Sequence, residues 1–406
     1  MDNCTHSLAA VLLAEALCEA RSPARELARF RTAALWVSLL ANNLPDLDFV
    51  YRKITPGKLG YLLHHRGHTH TVLGALALSL VAFGIVYGVA RVRRAHLDAR
   101  DLRALAALAV LGTLLHITMD LQNNYGVHPF WPFDDRWYYG DVLYIVEPLL
   151  LMVAIPVVAL TSRTRIAAVG LTALLAGVLL FGATMRSVPL AQVFGLVFVA
   201  AIVALVARAL PRPGRIALGI GAWLAVTLCF VVASGSVRRL VTASSTRSFP
   251  DTALVDVVRT PSPANPLCWS VIALGRQGDR YLARRAIVSL APGVFSPRRC
   301  GSMDSRTATA PLTAIEATDG SVLWRSEFEG SLTELRTLAR SHCDAAAFLR
   351  YARAPFWVPD QPTIVGDLRF DRSRALDFAE MTLSQGGACP PHVPPWTPPR
   401  AELLGD

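Results

Sequence analysis

The chain has 406 residues, 53% of them hydrophobic and only 17% charged, with a mean hydropathy of +0.39. A soluble domain carries about 25% charged residues, so the composition excludes an ordinary soluble globular protein and points to the membrane class. The net charge of +10 is no sign of nucleic acid. Its arginines gather in short loops between apolar runs, as at Arg91, Arg93, Arg94, Arg100 and Arg103. That is the pattern of cytoplasmic anchoring loops, without the interleaved basic and aromatic patches of a nucleic-acid surface. The expected partner is the lipid bilayer, with no nucleic acid; oligomeric state is left open.

In chain order, the first apolar segment, 5–17, lacks the basic leader of a signal peptide and is expected to stay in the mature protein. The second, 32–44, reaches only about 20 Å as a helix. Six further runs, at 71–90, 102–121, 142–160, 166–185, 190–207 and 216–233, approach or reach the length of about 20 residues that spans a bilayer. After residue 236 no long apolar run returns. Segments 281–290 and 321–328 alternate like short strands. Segment 331–351 has helical spacing, and 389–400 is Pro-rich and extended. The expected fold is mainly α, a polytopic transmembrane helical bundle of about 6–8 membrane helices with a C-terminal extramembrane mixed α/β or β-rich domain. Its divisions are 1–160, a metal-binding region, 161–235, additional transmembrane helices, and 236–406, a soluble domain.

If the densest Arg loop is cytoplasmic, alternation puts Arg163, Arg165, Arg208, Arg212 and Arg215 inside. Arg21, Arg25, Arg29 and Arg31 join them if both short N-terminal helices cross. The loop at 122–141 and everything after residue 233 then lie outside. Arg52, Lys53, Lys58 and Arg66 compete with this topology. Cys268, Cys300, Cys343 and Cys389 all fall in the last domain, an even number that suits two disulfides in an exported unit.

Eight of the ten histidines precede residue 130. Four form His64-His65-Arg66-Gly67-His68-Thr69-His70, just before the apolar run at 71. Asn42-Asn43-Leu44-Pro45-Asp46-Leu47-Asp48 ends an apolar helix upstream, and His116 and Asp120 stand four apart, on one helix face. His6 opens the first apolar segment. Under the topology above, all these groups converge at the outer membrane face. Taken singly each has a plain explanation: His6 as an interfacial residue, Asp46 as a turn, Asp48 as a cap, His116 with Asp120 as a structural pair. Together they form an imidazole and carboxylate set whose burial in a membrane calls for partners or a metal. That donor set suits Zn, with Mn or Fe as alternatives, as one or more ions. His96, His342 and His392 read as surface residues.

At these residues the sequence resembles the membrane-bound metal-dependent hydrolases of the YdjM family. The matching pieces are Met1-Asp2-Asn3-Cys4-Thr5-His6-Ser7-Leu8, Asn43-Leu44-Pro45-Asp46-Leu47-Asp48, His65-Arg66-Gly67-His68-Thr69-His70, and Leu115-His116 through Asp120 to Tyr125-Gly126. The resemblance covers about residues 1–160 and implies metal ligands at His6, Asp46, Asp48, His65, His70, His116 and Asp120. His64 and His68 occupy positions the family leaves variable, and Glu147 stands where members often carry Asp. The order of histidines and aspartates is also similar to that of zinc-dependent phospholipases C and single-strand nucleases, which suggests phosphoester substrates by analogy.

The resemblance implies a bacterial-type inner-membrane hydrolase, in which metal-activated water attacks a phosphoester or lipid-like substrate at the outer interface. Asp48 or Asp120 would take or orient the proton, and Arg66 would bind an anionic oxygen. The alternative is non-enzymatic: metal transport, sensing or a structural site. Transport calls for polar groups through the later spans, and 166–233 carries almost none.

Overall fold

The protein is described by a computed structural model that covers residues 1–21, 27–184, 190–300, 308–360, 362–373, 376–384 and 389–405. Arg25 and Met185 lie outside the described residues. Helix α1 (Asn3–Ala20) starts at Asp2, whose carboxylate accepts from Thr5 N at 3.0 Å, the N-cap role that short acidic side chains favour. Helix α2 (Leu27–Ala41) gives way to 3₁₀ turns at Leu44–Val50 and Arg52–Ile54, with Pro45 in the first turn. A short α3 (Gly57–His64) and a 3₁₀ turn at His68–His70 lead into α4 (Val72–Val92). Thr71 caps α4 by accepting from Gly74 N at 2.8 Å. Helix α5 (Ala99–Leu121) opens with a reciprocal capping box between Asp98 and Asp101.

The next helices are α6 (Pro148–Thr161), α7 (Arg165–Thr184), α8 (Leu190–Ala209) and α9 (Arg212–Ser248). Among the described residues, four helices are long and apolar enough to cross a membrane: α4, α5, α8 and α9. The run at 142–160 becomes helical only at Pro148. Proline fits best in a first helical turn, although Pro156 also lies inside this helix, and Glu147 caps the start by accepting from Leu149 N. The resulting 14 residues are about 21 Å long.

Helix α9 has 37 residues and runs past the hydropathy break at 236. Its C-terminal half is held in helix by packing rather than lipid. Val237 and Val241 join Trp269, Val271 and Trp324 in one core, and Trp324 Nε1 donates to Ser244 Oγ at 3.1 Å.

The C-terminal domain is sheet-rich. Strands β1 (Ala253–Ser262), β2 (Asn265–Gln277), β3 (Arg280–Ser289), β4 (Thr313–Asp319) and β5 (Val322–Ser331) form an antiparallel sheet in the order β1-β2-β3-β5-β4. The hairpin joining β2 and β3 turns at Gly278, φ +61°, a conformation glycine adopts without strain. The expected single helix at 331–351 is two, α10 (Leu332–Ser341) and α11 (Cys343–Leu349), separated by His342 in extended backbone. Strands β6 (Pro355–Val358), β7 (Ile364–Asp367) and β8 (Glu380–Thr382) make a second antiparallel sheet, and α12 (Ala401–Leu404) ends the chain's regular structure. Cys268 is bonded to Cys300 and Cys343 to Cys389.

This domain grips one end of the helical layer. Arg353, buried, donates to both Asp141 oxygens at 2.7 and 2.9 Å and to Asp256 at 2.8 Å. Arg369 donates to the Asn124 carbonyl at 2.6 Å. The extended segment before α12 lies across α3, with Trp396 Nε1 donating to the Leu63 carbonyl at 2.8 Å. Loop 122–141 and α3, both next to the histidines, are thereby held in place.

Candidate metal centre

Each group of the site comes from the same end of the helical layer. Asp46 and Asp48 sit on the 3₁₀ turn after α2, His65 and Arg66 just after α3, and His70 just before α4. His116 and Asp120 lie in the last turns of α5, and His6 in the first turn of α1. His6, Asp48, His70, His116 and Asp120 are fully buried.

Four of them meet at one point: Asp46, His70, His116 and Asp120. His70 Nε2 is 3.1 Å from His116 Nε2 and 3.0 Å from Asp120 Oδ2. Asp46 Oδ1 is 3.6 Å from each imidazole Nε2, and His116 Nε2 is 3.5 Å from Asp120 Oδ2. Ligands about 2.0–2.1 Å from a tetrahedral ion lie about 3.3 Å from one another, so these separations bracket the edge of such a site. The two facing imidazole nitrogens can share one proton or, with both lone pairs turned inward, one cation.

The supporting contacts orient the rings. His116 Nδ1 lies 2.7 Å from the Asn42 carbonyl, which leaves Nε2 free to ligate. His70 Nδ1 lies 3.4 Å from Asp48 Oδ2, a carboxylate–histidine pair of the kind found behind metal ligands. Asp48 also takes His65 Nδ1 at 3.0 Å, Arg66 N at 2.8 Å and Thr69 Oγ1 at 3.2 Å. Arg66 reaches this carboxylate with φ +61°, a strained backbone for a side chain of its size. Asp46 is steadied by Asn3 Nδ2 at 3.0 Å.

His6 stacks on His116 at 3.9 Å between ring centroids, and its Nε2 lies 3.3 Å from Asp120 Oδ1. Among the described residues its Nδ1 has no hydrogen-bond partner. The Met1 amine also contacts Asp120. Burial opposes ionisation of Asp46, but hydrogen bonds with His116 and His70 hold its carboxyl far below the usual range. For Asp48, burial is likewise outweighed by His65 and His70. His65 is lowered, because burial outweighs the help from Asp48. The site therefore offers carboxylates and a neutral His65 at neutral pH, the forms that bind metal.

Of the residues singled out in the sequence, Asp46, His70, His116 and Asp120 form the converging set. His6 flanks Asp120, while Asp48 and His65 stand behind His70. Arg66 is buried, with Nη2 on Asp120 Oδ1 at 3.0 Å and Nη1 on Asn123 Oδ1 at 2.8 Å. Outside this set, His64 pairs with Thr55 Oγ1 at 2.8 Å, and His68 packs on Trp131 and Trp396. Asn3, Asn42, Thr69 and Asn123 were not singled out as site residues. The signal for the first two was present, since polar side chains beginning or ending an apolar helix have to find partners. Nothing local marks Thr69 or Asn123.

Residues 1–189 match the sequence model of the family described as YdjM inner membrane protein. The chain is also similar to the uncharacterized protein YfhP of Bacillus subtilis strain 168, with 23% identity over 128 residues, 32% of this chain and 36% of that protein. The match thus spans about a third of that curated relative. No solved structure matches. Residues 1–189, which carry every group of the buried cluster, are thus the part of the chain that matches the YdjM inner membrane protein family.

Proposed function

We propose that the protein is a membrane-bound metal-dependent hydrolase acting on a phosphoester, with a membrane-derived lipid-like substrate as the favoured class. The observation that carries this is the quartet Asp46, His70, His116 and Asp120, whose donor atoms stand at tetrahedral spacing. Two imidazoles and two carboxylates suit Zn²⁺ best, with Mn²⁺ or Fe²⁺ as alternatives. When bound, such an ion supplies Lewis acidity and lowers the pKa of a water. Asn42 and Asp48 hold the two imidazoles in their ligating orientation. Asp48 and Asp120 are the carboxylates available to receive or orient a proton. Arg66 sets a guanidinium against Asp120, and among the described residues its Nε has no hydrogen-bond partner, leaving one donor toward an anionic oxygen.

The remaining helices α1, α2, α6 and α7 complete a bundle of 6–8 membrane helices, with the Arg-rich α4–α5 loop in the cytoplasm. The metal-binding region is 1–160, further membrane helices fill 161–235, and 236–406 forms the soluble domain. That domain and the site, being on one end of the helical layer, face the outer side of the inner membrane. Four paired cysteines support this side, because disulfides persist in oxidising compartments.

Metal analysis of detergent-purified protein tests the proposal, followed by turnover of a panel of phosphoesters and phospholipids. The wild type should carry a transition metal and hydrolyse a member of the panel, with loading abolished in His116→Ala and Asp46→Ala. Metal content unchanged in both variants would remove the site. Full loading with no turnover would shift the reading to a transport, sensing or structural metal. Single cysteines introduced into the C-terminal domain should be labelled by an impermeant maleimide from outside; labelling only from the cytoplasm reverses the topology.

A further inference from the structure

A second cluster lies outside this site, on the connection between β7 and β8. Asp371, Asp377 and Glu380 offer carboxylate oxygens that all lie within 4.8 Å of one another. Oxygens at about 2.4 Å from one Ca²⁺ are at most about 4.8 Å apart, so the three lie within the limit for sharing a single ion. Most of their other valences are met. Asp371 Oδ1 accepts from Thr309 N at 2.8 Å, and its Oδ2 from Arg285 Nη2 at 3.0 Å and Ala310 N at 3.4 Å. Asp377 accepts from Arg372 N, Ser373 N and Ser373 Oγ at 2.7–2.9 Å. Glu380 Oε2 accepts from Asp377 N at 3.1 Å.

Among the described residues Glu380 Oε1 has no hydrogen-bond partner, although the residue is 0% exposed. An orphaned oxygen on a fully buried carboxyl demands a counter-charge or a proton. Among the described residues, Arg285 pairs with Asp371 and the Arg372 charge acts on Asp377, so the three carboxylates outnumber these two guanidinium groups. Lys58 Nζ reaches the loop too, but donates to the carbonyls of Leu376 and Asp377.

We propose that Asp371, Asp377 and Glu380 form a second cation site, selective for a hard divalent ion of the Ca²⁺ class. Oxygen-only donors, without imidazole or thiolate, favour Ca²⁺ over Zn²⁺. Its place in the fold gives it a consequence. Lys58 lies on α3, and Phe378 meets Tyr61 of α3 edge-on at 5.4 Å. Tyr61 in turn packs on His65 at 4.7 Å. An ion that stiffens this loop therefore braces the helix that delivers His65. The proposal stands independently of the function proposed for the first cluster.

Calcium titration of the full chain in detergent, by calorimetry and thermal unfolding, tests it in wild type, Glu380→Gln, Asp377→Asn and Asp46→Ala. Wild type should bind one Ca²⁺ and unfold at higher temperature with it. Glu380→Gln and Asp377→Asn should each weaken binding at least tenfold, and Asp46→Ala should leave it unchanged. Asp377 is only half-buried, so its variant keeps the test valid if Glu380→Gln fails to fold. No calcium response in wild type would overturn the proposal and leave a proton on Glu380. A response that survives both loop variants, or vanishes in Asp46→Ala, would overturn it equally.

Discussion

Asp48 shows how one side chain organises a site without standing at its centre. It receives the Arg66 amide and the Thr69 hydroxyl and faces both His65 and His70. A carboxylate behind a ligating imidazole is typically worth 10–100-fold in metal affinity. Asp48→Asn should therefore lower affinity by about that factor while retaining the metal at saturation, as read by competition with a chromogenic chelator. Acid stability follows from the same contacts. In the folded chain Asp46 and Asp48 titrate well below the unfolded carboxylate value of about 3.9. Their contribution is fully present above that value and is lost as pH falls below it, because the unfolded state then binds more protons. Metal-free protein should lose stability steeply below about pH 4, and Asp48→Asn should flatten that slope in tryptophan-fluorescence melts.

At the scale of elements, the site depends on how closely α2 and α5 approach. A Cβ on Gly112 would lie 2.8 Å from Ala41 Cβ and 2.9 Å from Asn42 Nδ2. Gly112→Ala should force the helices apart, costing about 1–3 kcal/mol as other overpacked cores do. It should also draw the Asn42 carbonyl away from His116 and so weaken metal binding. Gly84→Ala on α4, where a Cβ meets nothing within 4 Å, should leave both measurements near wild type. The helices of the site region were largely legible from hydropathy. Two details were not. Helix α6 begins at Pro148 because proline and the Glu147 cap override an apolar run that starts earlier. Helix α9 continues to Ser248 because the sheet, rather than lipid, covers its last turns.

Across the whole molecule, the C-terminal domain both depends on its cross-links and holds the membrane part. The two disulfides join residues 32 and 46 positions apart in sequence. Loops of that size are stabilised by about 3–4 kcal/mol each through restriction of the unfolded chain. Reduction, or Cys268→Ser with Cys300→Ser, should lower the unfolding temperature of this domain. Because the domain clamps loop 122–141 through Arg353 and Arg369, metal affinity should fall with it, as measured by chelator competition before and after reduction.

Sequence alone determined the membrane class, the sheet-rich C-terminal region, the family that residues 1–189 match and the chemical types gathered in the site. These follow from local quantities: hydropathy over a helix length, a four-residue helical spacing, and short motifs in fixed order. Tertiary structure decided the roles. It drew Asp46, His70, His116 and Asp120 to tetrahedral spacing, set Asp48 and His65 behind His70, turned Arg66 inward onto Asp120, and brought a distant domain down onto α3. The reason is physical. Ligation depends on ångström-scale distances between groups separated by tens of residues or more in the chain. Helix packing and the clamp of the C-terminal domain set those distances, and the motifs do not.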